Sequence, residues 1–267
     1  MTKQTIATNN GTYTIGDTYA DVDVTGVFNT LQLTGDTDRL VVHGYGTHAT
    51  MSGQNAYADL ESQRGNVTVT GGGFIHLKEA VRYNQVTLRG DNQSVFLEEG
   101  GQYNQADLGM ANGYAKVTGA FQSLTGSGHL VVDASGSYGS GIIKLTGEGA
   151  VAFGGHGSDK ISFMSQSYVT GGDGADEFAF NRGTASSGFA TVGDFNLLQG
   201  DTLNLHDMGI DYRTMGQQVS VVGDSLVIHP DPSNQSADHS FVLAGVGNQL
   251  SAHGGVYAQI EQGHVII

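Results

Sequence analysis

The amino-acid sequence predicts an all-β protein, a parallel β-roll or β-helix solenoid closed by a C-terminal β cap. Three observations predict it. Apolar residues recur as i, i+2 pairs at a nine-residue interval. Glycine supplies 42 of the 267 residues while proline supplies 2. Hydrophobic residues make up 38% of the chain. That share is low for a compact α/β enzyme, but it suits a thin two-layer solenoid in which each strand buries one face.

The pairs run Val22/Val24, Leu31/Leu33, Leu40/Val42, Ala49/Met51, Ala58/Leu60 and Val67/Val69, each beginning nine residues after the last. All twelve positions being apolar by chance has odds of about one in 100,000. An i, i+2 spacing is a strand with one buried face. Gly26, Gly35, Gly44, Gly53, Ser62 and Gly71 follow the pairs at a fixed offset. Glycine alone enters positive φ without steric cost, so the offset predicts a sharp turn. High glycine with high proline would mark collagen or disorder. Strand and turn every nine residues also fits poorly with hairpins, which need turn pairs such as Asn-Gly. Two such units per coil make a solenoid.

The pattern continues with small insertions at Ile75/Leu77, Val86/Leu88, Val95/Leu97, Ala106/Leu108, Ala115/Val117, Leu130/Val132, Ile143/Leu145 and Val151/Phe153. Insertions of this kind fall at turns on one face of a solenoid. The predicted organisation is a solenoid over 1–153, Gly-rich repeats over 154–181 and a cap over 182–267. In the cap, Leu203/Leu205, Leu226/Ile228, Phe241/Leu243 and Val265/Ile267 read as strands, and Asp231, Pro232, Ser233 and Asn234 as a turn. The expected form is a set of hairpins over the last coil, because an open sheet edge must be covered or paired.

Composition removes several function classes. The formal charge of −15 repels nucleic acid and anionic membranes and attracts divalent cations, so no nucleic-acid partner is predicted. No stretch approaches the length of a membrane span. The absence of cysteine excludes thiolate zinc sites and thiol catalysis. A Cys-free exported chain must be stabilised by metal ions, a long hydrogen-bond ladder or oligomerisation. The first residues, MTKQTIATNNGTYTIG, lack the apolar region of a cleaved signal peptide. The expectation is a cytoplasmic chain, or one exported by a route that reads no N-terminal signal.

Two segments stand apart. Residues 154–162 read GGHGSDKIS and residues 171–179 read GGDGADEFA. Both match G-G-x-G-x-D-x-U-x, with Ile161 and Phe178 at the apolar place. Calcium takes six to eight hard oxygens. Glycines let the backbone curl so that carbonyl oxygens face the gap between turns, and the aspartate adds a carboxylate.

From residue 154 onward the chain resembles the C-terminal region of bacterial type I secreted repeat-in-toxin proteins. The likeness is carried by GGDGADEFAF followed by VGDFNLLQGDTLNLHDM, and later by FVLAGVG. Asp176, Phe178, Phe180, Asp194, Phe195, Gly200, Asp201, Leu203 and Leu205 fall on the family pattern. The resemblance implies a calcium ion held between turns one coil apart. One turn would give the carbonyls of Gly154 and His156 and the Asp159 carboxylate; the next would give the carbonyls of Gly172 and Gly174 and the Asp176 carboxylate. Asp194 and Asp201 offer a second calcium or a capping role. The resemblance further implies one-step export by type I secretion machinery that reads an uncleaved C-terminal signal, and folding on external calcium. The chain ends GHVII, apolar but without the acidic residue that some members carry.

No H-E-x-x-H, G-x-S-x-G, P-loop or G-x-G-x-x-G motif occurs. His76, Lys78, Arg82, Tyr83 and Arg89 form the densest basic cluster. They read either as a glycan-processing groove of the kind β-helix lyases and epimerases use, or as solvated residues balancing acids such as Glu79 and Glu98. The Asp-Pro-His type motif of repeat-in-toxin epimerases is absent. Thr-rich strand ends such as Val67-Thr-Val-Thr-Gly invite an ice-binding reading, but Thr-x-Thr ranks are not sustained. Sequons, for example at Asn10 and Asn66, are expected by chance in a chain so rich in Asn and Thr. The function these readings favour is a secreted calcium-binding structural or adhesive protein of an extracellular matrix, biofilm, surface layer or filament. Its partners would be calcium, further copies of itself or an extracellular polysaccharide. The alternatives are a polysaccharide-active β-helix enzyme and a carbohydrate-binding module.

Overall fold

The structure is a computed structural model that describes residues 2–78, 81–90, 93–97, 104–119, 123–231, 233 and 239–267. The chain winds into a β-solenoid of two parallel sheets, with each coil giving one strand to each. The first sheet begins with Thr2–Ile6, Ala20–Val24, Arg39–Val42, Ala56–Leu60 and Gly73–Leu77. The second begins with Thr12–Ile15, Thr30–Leu33, His48–Met51, Asn66–Val69 and Gln85–Arg89. Residues 18 apart pair across successive early coils: Asp21 lies beside Arg39, and Leu31 beside Ala49. Two nine-residue units therefore make one coil, as the sequence predicts.

All twelve residues of the six regular pairs are buried. They are short and branched or small, so two layers close on one another with little volume between. Fully burying a Leu or Val contributes about 1.5–3 kcal/mol, and the core runs unbroken from Ile6 to Val265. The later pairs are buried as well, with one correction; the side chain of Leu97 lies outside the described residues. The correction is Val151/Phe153. Ala150 and Ala152 point inward at that strand, and Val151 and Phe153 point outward. Ile143, Ala152 and Ile161 keep the nine-residue phase, and a one-residue slip exchanges the two faces of a strand. Side-chain size gave the wrong phase there; spacing gives the right one. Leu124, in no predicted pair, is also fully buried.

Glycine also serves differently from the expectation. Positive φ falls two residues beyond the repeat glycines and Ser62, on Phe28 (55°), Thr37 (59°), Gly46 (70°), Asn55 (56°) and Arg64 (56°), so four of these five are not glycine. The glycines instead allow close approach between coils. A Cβ on Gly44 would lie 1.7 Å from the carbonyl oxygen of Gly26, and one on Gly53 would lie 1.8 Å from that of Gly35. Coils stacked at the usual strand spacing of about 4.7–4.9 Å leave no room there for a side chain.

Two long strands, Gln105–Val117 and Ser123–Asp133, pass through both sheets without a break, with a register shift between Gly109 and Asn112. Beyond them the sheets run on through Lys160–Phe163, Glu177–Phe180 and Thr202–Asn204 on one side and Tyr168–Thr170 and Gly188–Val192 on the other. Among the described residues the cap holds an antiparallel run in which Ser225–Ile228 pairs with Val219–Val222 on one side and Phe241–Ala244 on the other. Phe241–Ala244 and Val265–Ile266 then extend the two sheets in parallel. Helices Gly247–Ala252 and Gly255–Glu261 join those two strands, so the cap is not built of hairpins alone. Pro232 and Asn234 of the predicted turn lie outside the described residues.

These contacts predict opposite effects at neighbouring corner positions. Gly44→Ala lowers stability by about 3 kcal/mol, because the added methyl meets backbone that cannot step aside. Thr37→Gly raises it by about 1 kcal/mol by relieving a β-branched residue at positive φ. Urea unfolding of both variants in excess calcium measures the two. Tolerance of the alanine together with no gain from the glycine would contradict the corner geometry.

Candidate metal centre

The residue immediately before each strand of the second sheet stands in a column down one corner of the solenoid. In the early coils this column holds Gly11, Asn29, Thr47, Gly65, Asn84 and Asn104. In the late coils it holds Gly141, Asp159, Asp176 and Asp201. Side-chain oxygens in the column accept the backbone N–H of the column residue one coil earlier. Gly65 N–H donates to Asn84 Oδ1 (2.6 Å), and Asn84 N–H to Asn104 Oδ1 (3.0 Å). Gly141 N–H donates to Asp159 (2.7 Å), Asp159 N–H to Asp176 (2.7 Å) and Asp176 N–H to Asp201 (3.0 Å).

Asn and Asp fill this place with different consequences. An asparagine has an amide nitrogen to donate, and Asn84 gives it to Ser62 O (2.9 Å) while Asn104 gives it to Val81 O (3.1 Å). An ionised aspartate can only accept. The second oxygen of Asp159 accepts Gly155 N–H (3.0 Å), and that of Asp201 accepts Asn196 N–H (2.8 Å). Asp176 Oδ2 is buried and receives no hydrogen bond. Asp38 Oδ2 shares that condition at the opposite corner, but Ala20 and Ala56 flank Asp38 there and no carboxylate column forms.

Burial pushes all three late carboxyls above the ordinary range. The Asp176 carboxyl is raised to about 7, first by burial and then by the charges of Asp201, Asp159 and Asp194. Asp159 and Asp201 are raised by burial, with their backbone N–H donors pulling the other way. Such a column can be relieved by a proton or by a hard cation, each of which removes the charge that burial penalises.

The structure brings Asp159 and Asp176 together, one coil apart and hydrogen-bonded through Asp159 N–H. Gly154, His156, Gly172 and Gly174 form the turns beside them. Gly172 and Gly174 have φ of 92° and 133°, and a Cβ on either would strike the carbonyl of Gly155 or Gly157. The His156 ring is exposed, pairs with Asp173 (2.8 Å) and stacks on Tyr138, so its side chain faces away from the column. Asp194 accepts Gly171 N–H and Gly172 N–H (2.9 and 2.8 Å), which is capping of the turn. Among the described residues no three His, Asp or Glu side chains converge as a metal cluster. Any ion at this corner must draw on one or two carboxylates plus backbone oxygens.

The basic cluster is not one site. His76 and Lys78 lie on the outer side of the first sheet, with Lys78 paired to Glu61. Arg89 pairs with Asp107 on the second (2.6 Å), and Tyr83 lies in the turn between, where Arg64 stacks over its ring. Glu79 and Glu98 lie outside the described residues. A residue the sequence reading missed is Asp59, which is 3% exposed although it points outward. It accepts from the Tyr57 hydroxyl (2.8 Å) and pairs with Arg39 (3.4 Å) and His76 (3.1 Å). Its neighbours come from other coils: His76 stands opposite it in the next coil, and Arg39 lies two positions back in the coil before. Among the described residues no helix is long and apolar enough to cross a membrane. No protein-family model, curated protein or solved structure gives a significant match to the chain.

The orphaned oxygen fixes a pH dependence. A folded-state pKa of about 7 against an ordinary 3.8 means that the folded chain binds more protons between those values. The stability that Asp176 contributes without metal is therefore full below about pH 4 and is lost as pH rises through about 7. Asp176→Asn, with an amide to donate as Asn84 does, should raise metal-free stability near pH 8 by about 1–3 kcal/mol and flatten this slope. Urea unfolding in chelator at both ends of the range measures it; an unchanged slope would contradict the assignment.

Proposed function

We propose that the protein is a secreted calcium-binding structural or adhesive component whose C-terminal coils fold on external calcium. One observation carries the reading: a buried column of three aspartates, one coil apart, in which Asp176 Oδ2 has no donor. A hard dication suits that oxygen better than any group now beside it. Asp159 and Asp176, with carbonyl oxygens of the turns at Gly154, His156, Gly172 and Gly174, are the residues that would hold it. The ion would supply charge neutralisation and a cross-link between coils. Because it binds the folded chain, it stabilises that chain by mass action. The two G-G-x-G-x-D-x-U-x segments support the same reading. A low cytosolic and high external calcium level would then couple folding to export through a type I route. The surface charge and the regular sheet edges suit lateral or head-to-tail assembly, as in a matrix, surface layer or filament.

A second reading, a polysaccharide-active enzyme, draws on the buried outward Asp59 with Tyr57, Arg39 and His76 around it. All of these groups already satisfy one another, which favours a structural ion cluster. Turnover of a uronate polymer that is lost in Asp59→Asn would decide for the enzyme.

The calcium reading is tested by sedimentation velocity and circular dichroism, in chelator and in millimolar calcium. The wild type should gain β structure and compactness, and regular assemblies would add the filament form. Asp159→Ala with Asp176→Ala should abolish the response and leave residues 12–78 comparatively intact. A double variant that responds as the wild type does would sink the assignment.

A further inference from the structure

The outer side of the second sheet is unlike the rest of the surface. Its outward positions over seven coils are Thr12 and Thr14, Thr30 and Gln32, His48 and Thr50, Asn66 and Thr68, Gln85 and Thr87, Gln105 and Asp107, and Ser123 and Thr125. None is apolar. The one carboxylate, Asp107, is paired with Arg89 (2.6 Å). In a chain of net charge −15, this is a hydroxyl- and amide-bearing strip without net charge. The opposite sheet carries the ion pairs of Asp21, Arg39, Asp59 and His76 and the stacked rings of Tyr57 and Phe74.

Over the last three coils of the strip is a cavity of about 300 Å³, lined by Gln85, Thr87, Gln105, Asp107, Ser123 and Thr125, with Val86 and Ala106 between them. Register builds it. Gln85, Gln105 and Ser123 stand side by side in one row, and Thr87, Asp107 and Thr125 in the next. Long amides give way to a short serine, so the wall steps down. Arg89 fixes Asp107 from one side, donating also to the carbonyls of Leu88 (3.0 Å) and Asp107 (3.2 Å). The lining thus offers two amides, three hydroxyls and a charge-compensated carboxylate in a space of ligand size. Amides and hydroxyls both donate and accept, as the hydroxyls of a sugar do. A phosphate or uronate would meet no uncompensated cation.

We infer that this cavity seats one hexopyranose unit of a neutral glycan whose chain lies along the strip. The inference rests on the adhesive reading and names its partner class. Gln85 and Gln105 would bind sugar hydroxyls through their amides, and Asp107 would accept from a neighbouring hydroxyl pair. Thr50 and Thr68 continue the contact along the solenoid axis.

The test is a titration of isotope-labelled protein, in calcium, with glucose, galactose, mannose and N-acetylglucosamine, then with cellohexaose, chitohexaose and oligoguluronate. Amide shifts should cluster at residues 85–89, 105–109 and 123–127 for a neutral sugar and its hexamer. Gln105→Ala should weaken binding about tenfold through loss of one or two hydrogen bonds. Ser123→Tyr, which fills the cavity, should abolish it, with Gln105→Ala deciding alone should the tyrosine variant misfold. The inference is overturned if no neutral sugar shifts these amides, if oligoguluronate alone does, or if Gln105→Ala binds as the wild type. Calcium-dependent shifts at residues 141–205 are read on matched samples in chelator and in calcium. Sugar binding without them leaves this inference standing and removes the calcium reading; the converse removes this inference alone.

Discussion

The solenoid depends on keeping each coil directly over the one before it, and a side-chain oxygen at one corner does this. It accepts the N–H of the residue stacked beneath, at Gly65, Asn84, Gly141, Asp159 and Asp176 in turn. A corner is where the sheet ladder stops, so its N–H groups would otherwise be buried without acceptors. Slippage by one residue would cost those bonds and would turn each apolar pair to solvent.

The same corner explains why one half of the solenoid differs from the other. Where the column is asparagine, each side chain both accepts and donates, and the corner is complete in itself. Where it is aspartate, donors run short, and at Asp176 one buried oxygen is left over. The widening core points the same way. Phe163, Phe178, Phe180 and Phe241 fill the late coils, while Val, Leu and Ala fill the early ones. Aromatic packing alone does not neutralise three buried carboxyls. The proposed calcium reading, in which the early coils fold unaided and the late coils with a cation, rests on this one substitution of oxygen for nitrogen.

Much of the fold was legible because its period is short. A nine-residue repeat with inward pairs specifies strand length, face and coil size at once, and those expectations met the structure from Val22 to Val69. At Val151 and Phe153 residue size points to the wrong face, and spacing points to the right one. The glycines were placed correctly for the wrong reason, since close approach between coils lies outside what one coil's sequence displays. Asp159 and Asp176 were legible as part of a nonapeptide. Their continuity with Asn84 and Asn104 was not, although Asn-x-Val and Asn-x-Ala stand two residues before the buried positions just as Asp-x-Ile and Asp-x-Phe do. Asp59 and the cavity beside Gln105 depend on residues one coil apart, which only the register brings side by side. The two helices that join the last strands begin at Gly247 and Gly255, where no periodic apolar pattern announces them.

On the calcium reading proposed above, one polar column supports an autonomous half and a cation-dependent half. Hydrogen exchange followed by mass spectrometry, with calcium and with chelator, tests it most directly. The account predicts strong protection of residues 39–78 in both conditions, and protection of residues 141–205 that rises steeply with calcium and does not rise in Asp176→Asn. Uniform protection of both regions without calcium, or an equal calcium effect on both, would contradict it.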